Sequence, residues 1–155
     1  MTTTDQHAGT ATAVAADSPD RLQANKTIAR RLYEEIVNEG RLELLDDFLA
    51  EDASRSTGSG TFGRDSFASH VIDLRKNVTD LKTTVTDIVA EGDRVVVFWR
   101  IQGVHSGEVW GVPGTGNTID GTSISLVTFR DGKVVDYVVT PDRLTILQQL
   151  GAIPA

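Results

Sequence analysis

The sequence predicts a single α+β domain with helices first and an antiparallel meander afterwards. Three observations predict it: apolar residues recur at helical spacing before Thr79, they alternate with period two after it, and short Gly-containing turns join the later extended runs.

From about Arg21 to Asn38, Ile28, Leu32, Tyr33, Ile36 and Val37 form one apolar stripe, with Lys26, Arg30, Arg31, Glu34 and Glu35 opposite. Gly40 stands where a helix-ending glycine belongs. A second short helix is expected through Leu42, Leu45, Phe48 and Leu49, then loop or short strand from Ser54 to Gly63, and a third helix over roughly Asp65 to Asn77 carrying Phe67, Val71 and Leu74 on one face. Beyond Thr79, Val85, Asp87 and Val89 alternate, and Arg94 to Gln102 is a β-branched and aromatic run around Phe98 and Trp99. Glu91-Gly92-Asp93 and Asp131-Gly132 mark turns, the Asp-Gly pair being the stronger hairpin signal. Thr118 to Arg130 and Lys133 to Thr140 are the last strands, and Asp142 can cap a closing helix through Leu144, Leu147 and Leu150.

The chain has 155 residues, enough for one core without staples, and no cysteine, which removes disulfides and thiolate chemistry and fits a reducing cytoplasm. A net charge of -7 argues against binding to a phosphate backbone, so nucleic acid is not an expected partner. Residues 1–20, rich in Thr, Ala and Asp, lack the basic and apolar regions of a signal or membrane span; they are expected to form a disordered tail ahead of a domain over 21–155.

Two glycine-rich stretches tempt. Gly58 to Gly63 matches the dinucleotide fingerprint by letter, but no parallel βαβ unit surrounds it. Gly111 to Thr118 resembles a phosphate loop, yet Asn117 stands where the lysine is needed and a strand follows. His7, His70 and His105 show no ligand spacing, so no metal site is expected, and no serine sits in a nucleophile elbow. His70 reads most simply as a solvated or helix-packing residue, and Asp142 as a cap.

Five stretches taken together carry a family likeness: Asn25 to Glu35, Gly103 to Pro113 with His105 and Trp110 inside it, Asp131-Gly132-Lys133, Pro141-Asp142, and Leu147 to Gly151. In that order and spacing the chain resembles the SnoaL-like polyketide cyclase and ester cyclase family of the nuclear transport factor 2-like superfamily. The resemblance covers about Arg21 to Gly151. It implies a cone-shaped α+β barrel, in which a curved antiparallel sheet and the N-terminal helices enclose a hydrophobic pocket open at one end, and by superfamily habit a homodimer.

The same resemblance implies an acid/base aspartate on the last strand and a carbonyl-holding histidine on the strand before it. Here Val139 falls at the aspartate position and Ser125 at the histidine position, with Ser123 at the other polar position of that strand and Arg55-Ser56 where relatives carry Asp-His. Neither Val139 nor Ser125 can take a proton from carbon. The proton carrier is therefore expected elsewhere, at His105 or Tyr137, with Asp120, Asp136 and Asp142 as further candidates; strand alternation points Tyr137 inward beside Val139 and Asp136 outward. Trp99 and Trp110 are expected as aromatic walls, and Ser123, Ser125 and Arg55 as donors to substrate oxygens, with Val139 and Asp142 completing the substrate-binding set.

The expected function is a tailoring enzyme of secondary metabolism that cyclises or isomerises a hydrophobic, polyketide-like small molecule without a cofactor or metal. A hydroxylase component working with a separate reductase is the first alternative, and a non-catalytic binding protein is the second.

Overall fold

The computed structural model describes residues 17–55 and 63–155, and of Arg55 only the backbone. Residues 1–16, the greater part of the expected tail, and His7 with them, lie outside the described residues, as does most of the Gly58 to Gly63 motif. Helix α1 (Pro19–Arg31) starts two residues before the expected domain boundary. Ser18 caps it by accepting the Arg21 N–H at 3.3 Å, and Pro19 occupies the first turn, where a missing N–H costs nothing.

The helix then changes its winding. Leu32–Val37 is a π-helix, in which the Asn38 N–H donates to the Tyr33 carbonyl at 3.0 Å. Thr83 supplies the physical reason: its hydroxyl donates to that carbonyl at 3.1 Å, and its N–H and carbonyl pair with the Asn38 amide at 2.6 and 2.8 Å. The wide turn is thereby bolted to the sheet, and such bulges tend to mark functional sites.

Gly40, at φ 72, ends the helical run as expected. A 3-10 turn (Leu42–Leu44) and α2 (Leu45–Phe48) follow, and β1 (Leu49–Arg55) begins where the spacing predicted more helix. The order continues with α3 (Arg64–Asn77), β2 (Val78–Glu91), β3 (Arg94–His105), β4 (Thr118–Arg130), β5 (Lys133–Pro141) and α4 (Arg143–Gln149). The strands form a five-stranded sheet in the order β1-β5-β4-β3-β2. It is antiparallel except at one edge, where β1 runs parallel to β5 and Ser54 donates to Asp136 at 2.6 Å. Register shifts between Thr79 and Lys82, Val85 and Asp87, and Thr128 and Phe129 place bulges that bend the sheet around the helices. Asp131 and Gly132, at φ 52 and 77, make the β4–β5 turn with both central residues left-handed, the geometry an Asp-Gly pair favours.

One face of the sheet carries the core. Val95, Val97, Trp99 and Ile101 on β3 and Ile119, Ser123, Ser125 and Val127 on β4 alternate inward against Leu32, Tyr33, Ile36, Val37 and Val71. Ile36 and Leu49 are fully buried, and truncating either to Ala costs about 2–5 kcal/mol. Gly121 lets α4 close the end of the sheet, because a Cβ there would lie 2.6 Å from Ile146 Cγ1. Asp142 caps α4 by accepting from the Thr145 N–H at 3.1 Å. Among the described residues no helix is long and apolar enough to cross a membrane.

Candidate functional site

The concave face does not close completely. Between β3, β4, β5 and α3 lies an outer compartment of about 230 Å³, bounded by Trp99, Ile101, Ile119, Val139, Pro141 and Ile146 from the sheet side and α4, and by His70, Asp73, Leu74 and Asn77 from α3. Deeper under α1 and the π-helix lies an inner compartment of about 50 Å³, lined by Leu32, Tyr33, Leu49, Phe67, Val127 and Tyr137 among others. His70, Leu74, Trp99 and Val139 line both, so they form the neck between them. The walls are apolar, and the ionisable groups gather on α3 and at the mouth.

The mouth is built by the connection between β3 and β4. Val109 and Val112 exchange backbone hydrogen bonds at 3.1 and 2.9 Å around Trp110 and Gly111, whose φ values are 50 and 80. That tight turn suits glycine at both central positions, and a tryptophan held left-handed there stores about 1–2 kcal/mol. It presents Trp110 to the outer compartment at 40% exposure, with the Arg143 guanidinium 4.6 Å above the ring. Glu108 and Val109 line the compartment beside it.

At the inner end, three polar groups meet in an otherwise apolar setting. The Trp99 indole N–H donates to Ser125 Oγ at 2.9 Å, and the Tyr33 hydroxyl lies 2.5 Å from the same oxygen. The Tyr33 and Trp99 rings pack at 4.9 Å between centroids. Burial pushes the Tyr33 phenol far above its ordinary range, against the opposing pull of the Ser125 hydrogen bond, so it stays protonated at any physiological pH. Tyr137 sits close by, its ring edge-on to Phe67 at 5.1 Å.

The expected site residues divide accordingly. Trp99 and Trp110 line the chamber, as do Val139 and Tyr137, and Tyr137 is buried while Asp136 bonds Ser54 at the edge strand. Ser125 pairs across strands with Val139, but its oxygen is taken up by Trp99 and Tyr33. Ser123 pairs across strands with two lining residues, Trp99 and Pro141, but is itself buried outside the lining, with its hydroxyl unpartnered. His105 is not among the lining residues. It is fully buried beneath the β3–β4 connection, where its Nδ1 accepts the Thr115 N–H at 3.2 Å and meets the Thr115 hydroxyl at 2.9 Å. Asp142 is likewise outside the lining; both its oxygens serve Thr145, whose hydroxyl and N–H hold the carboxyl below its usual range. Asp120 is paired with Arg100, whose hydrogen bond keeps that carboxyl low as well. Arg55 ends β1 beside Tyr137, with its side chain outside the described residues. Sequence reasoning missed three groups: Tyr33, taken for core, and His70 and Asp73, which α3 turns to the chamber. An i, i+3 polar pair on the apolar side of a helix was the available signal for the last two. No cluster of three or more metal-ligating side chains occurs among the described residues.

Comparison with known proteins places this geometry. Residues 27–150 match the family model described as SnoaL-like polyketide cyclase. Among solved structures, IdmH of Streptomyces antibioticus, provisionally described as a polyketide cyclase, is 32% identical at a TM-score of 0.70, over 83% of this chain and 99% of its own. A protein from Jannaschia sp. CCS1, provisionally described as a SnoaL-like polyketide cyclase, superposes at a TM-score of 0.79 with 24% identity, over 88% of this chain and 97% of its own. AclR of Streptomyces galilaeus, provisionally described as a hydroxylase, superposes at 0.76 with 23% identity, over 86% of this chain and 85% of its own. None of the curated proteins matches the chain significantly.

Proposed function

Because the chain belongs to the SnoaL-like polyketide cyclase family, we propose that it closes a ring in a hydrophobic, polycarbonyl substrate of polyketide type, in the cytoplasm and without a bound cofactor. The observation that carries this reading is the chamber: apolar walls at Trp99, Ile101, Val139 and Ile146, with ionisable groups only at His70 and Asp73 on α3 and at Glu108 at the mouth. Such a site holds a flat apolar body and leaves few polar groups to orient it. Its outer compartment, at about 230 Å³, suits a one- or two-ring portion of a ligand whose remainder extends past Trp110.

The step is an intramolecular aldol addition. A base takes a proton from carbon between two carbonyls, the electron pair moves onto oxygen as an enolate, and the enolate carbon bonds to a second carbonyl carbon in the same chain. The proton then returns to the new alkoxide, so the product is an isomer of the substrate. Holding the two carbons in contact supplies much of the rate. With the aspartate position occupied by Val139, the proton passes to His70, which lines both compartments and has an imidazole suited to neutral pH. Trp99 and Trp110 form the aromatic walls against which the substrate lies.

A synthetic poly-β-ketone thioester is the test substrate. Ring closure gives a product of equal mass, or of that mass less one water, with no oxygen consumed. Recovery of bound but unchanged ligand would replace the enzyme with a carrier, and oxygen uptake dependent on an added reductase would replace cyclisation with hydroxylation. The reading includes a homodimer through the outer sheet face, where Ile124 is 45% exposed beside Phe98; light scattering at the monomer mass would remove that part.

A further inference from the structure

The two compartments offer a ligand different surfaces. The outer one has His70, Asp73 and Glu108 at its edge, whereas the inner one is lined mainly by aliphatic and aromatic side chains, among them Leu32, Leu49, Val71, Val127 and Val134. The polar hydrogens of its Tyr33 and Trp99 walls are not offered to a guest: the Tyr33 hydroxyl and the Trp99 indole N–H both donate to Ser125 Oγ, and Ser125 is not part of the lining. Among the described residues, the buried side-chain atoms left without a hydrogen-bond partner belong to Asn25, His105 and Ser123, none of which lines the inner compartment. A carbonyl oxygen pushed in there gives up water and finds the hydrogens of Tyr33 and Trp99 already used, which weakens binding by about 10- to 100-fold. An alkyl group meets no such penalty and gains about fourfold in affinity for each carbon buried.

Size narrows the choice. An apolar cavity of about 150 Å³ holds a benzene ring, so by proportion a space of about 50 Å³ holds roughly two carbons. Leu49, Val71, Val127 and Val134 are fully buried, and the Tyr33 carbonyl is held by Thr83 and Asn38, so the walls yield little to a longer chain. We infer that the inner compartment is a subsite for a methyl or ethyl group, and that the substrate is a polyketone whose closing end carries such a short alkyl substituent. The inference rests on the ring-closing reading above and deepens it by naming the substituent and the register it imposes. With the alkyl end seated past the neck at His70, Leu74, Trp99 and Val139, the first carbonyl stays on the outer side, beside His70, and the thioester end stays toward Trp110. Chain length at one end of the substrate thereby sets which carbon stands at the base.

The test measures, by equilibrium dialysis, the binding of naphthalene and its 2-methyl, 2-ethyl and 2-butyl derivatives. A fifth probe, 2-methoxynaphthalene, has the shape of the ethyl compound with oxygen in place of a methylene. Affinity is expected to rise about fourfold at each step from naphthalene to methyl to ethyl and to gain nothing further at butyl. The methoxy compound is expected to bind about 10-fold more weakly than the ethyl one, or weaker still. Two variants locate the subsite. In Val127→Leu the added carbon takes up part of the space, and the ethyl-to-naphthalene affinity ratio is expected to fall from about 16 to about four or below. In Val134→Ala, which carries the test should the first variant not fold, the space lengthens and butyl overtakes ethyl. An even rise through butyl, no rise at ethyl, equal binding of the methoxy and ethyl compounds, or a ratio that neither variant alters would each overturn the subsite while leaving the ring-closing chamber in place. If naphthalene itself fails to bind the wild-type chain, the chamber reading falls and takes the subsite with it.

Discussion

Gly121→Ala tests how closely α4 is fitted to the sheet. A Cβ built at Gly121 would lie 2.6 and 2.7 Å from Ile146 Cγ1 and Cδ1, well inside contact distance, and Ile146 is only 3% exposed. Relief requires α4 to lift or Ile146 to swing toward the outer compartment that it lines. Overpacking of this kind costs about 1–3 kcal/mol, which in a domain of this size lowers Tm by about 2–12 °C. Urea unfolding of four proteins separates the terms: wild type, Gly121→Ala, Ile146→Ala and the double variant. Ile146→Ala alone costs about 2–5 kcal/mol through its cavity. The double variant is expected to be more stable than the sum of the two by at least about 1 kcal/mol, because the truncated side chain no longer collides. Additivity within about 0.5 kcal/mol would mean that the added methyl meets no obstacle, and the packing argument for α4 would fail.

Three further outcomes follow from the same geometry. His70→Ala is expected to lower kcat for the ketone thioester by about 10²- to 10⁴-fold with little change in Tm, since the residue is exposed; unchanged turnover would move the base elsewhere. Trp110→Gly removes a left-handed tryptophan worth about 1–2 kcal/mol of strain and loses an exposed contact with Arg143 worth about 0.5–1 kcal/mol, so unfolding midpoints stay level or rise while naphthalene affinity falls. A parallel fall in both would make Trp110 a structural residue. Asp142, held low by the Thr145 hydroxyl and N–H, contributes its cap fully above the ordinary carboxylate range and loses it as pH drops through its lower folded pKa. Asp142→Asn should flatten the acid side of the Tm profile between about pH 2 and pH 5, and an unchanged profile would show the cap carries none of that dependence.

The sequence made the helices and hairpins legible because their signals are local. The stripe from Ile28 to Val37, the stop at Gly40, the Asp131-Gly132 turn and the Asp142 cap all act within a few residues, and each stands where expected. Signals that depend on distant partners were not legible. Nothing in Leu49 to Arg55 says that its partner is a parallel strand far down the chain. Tyr33 read as core because its position in the stripe is apolar, and the partner of its hydroxyl appears only once Ser125 arrives from β4. Conversely His105 was expected to act because an imidazole is the natural proton carrier near neutral pH, yet Gly114 packs so closely on Ser106 that a Cβ would lie 2.4 Å from that carbonyl. The connection therefore folds over the imidazole and seals it.

The parallel pairing at the sheet edge has a kinetic consequence. Ser54 and Asp136 are separated by 82 residues, so β1 cannot dock until β5 has zipped onto β4 through the tight Asp131-Gly132 turn. Leu49, Val134 and Tyr137 meet at that docking event, and all three bound the inner compartment. Refolding should thus assemble the outer basin early and the deep recess late, leaving a transient species with an unpaired β5 margin as the stage most exposed to self-association.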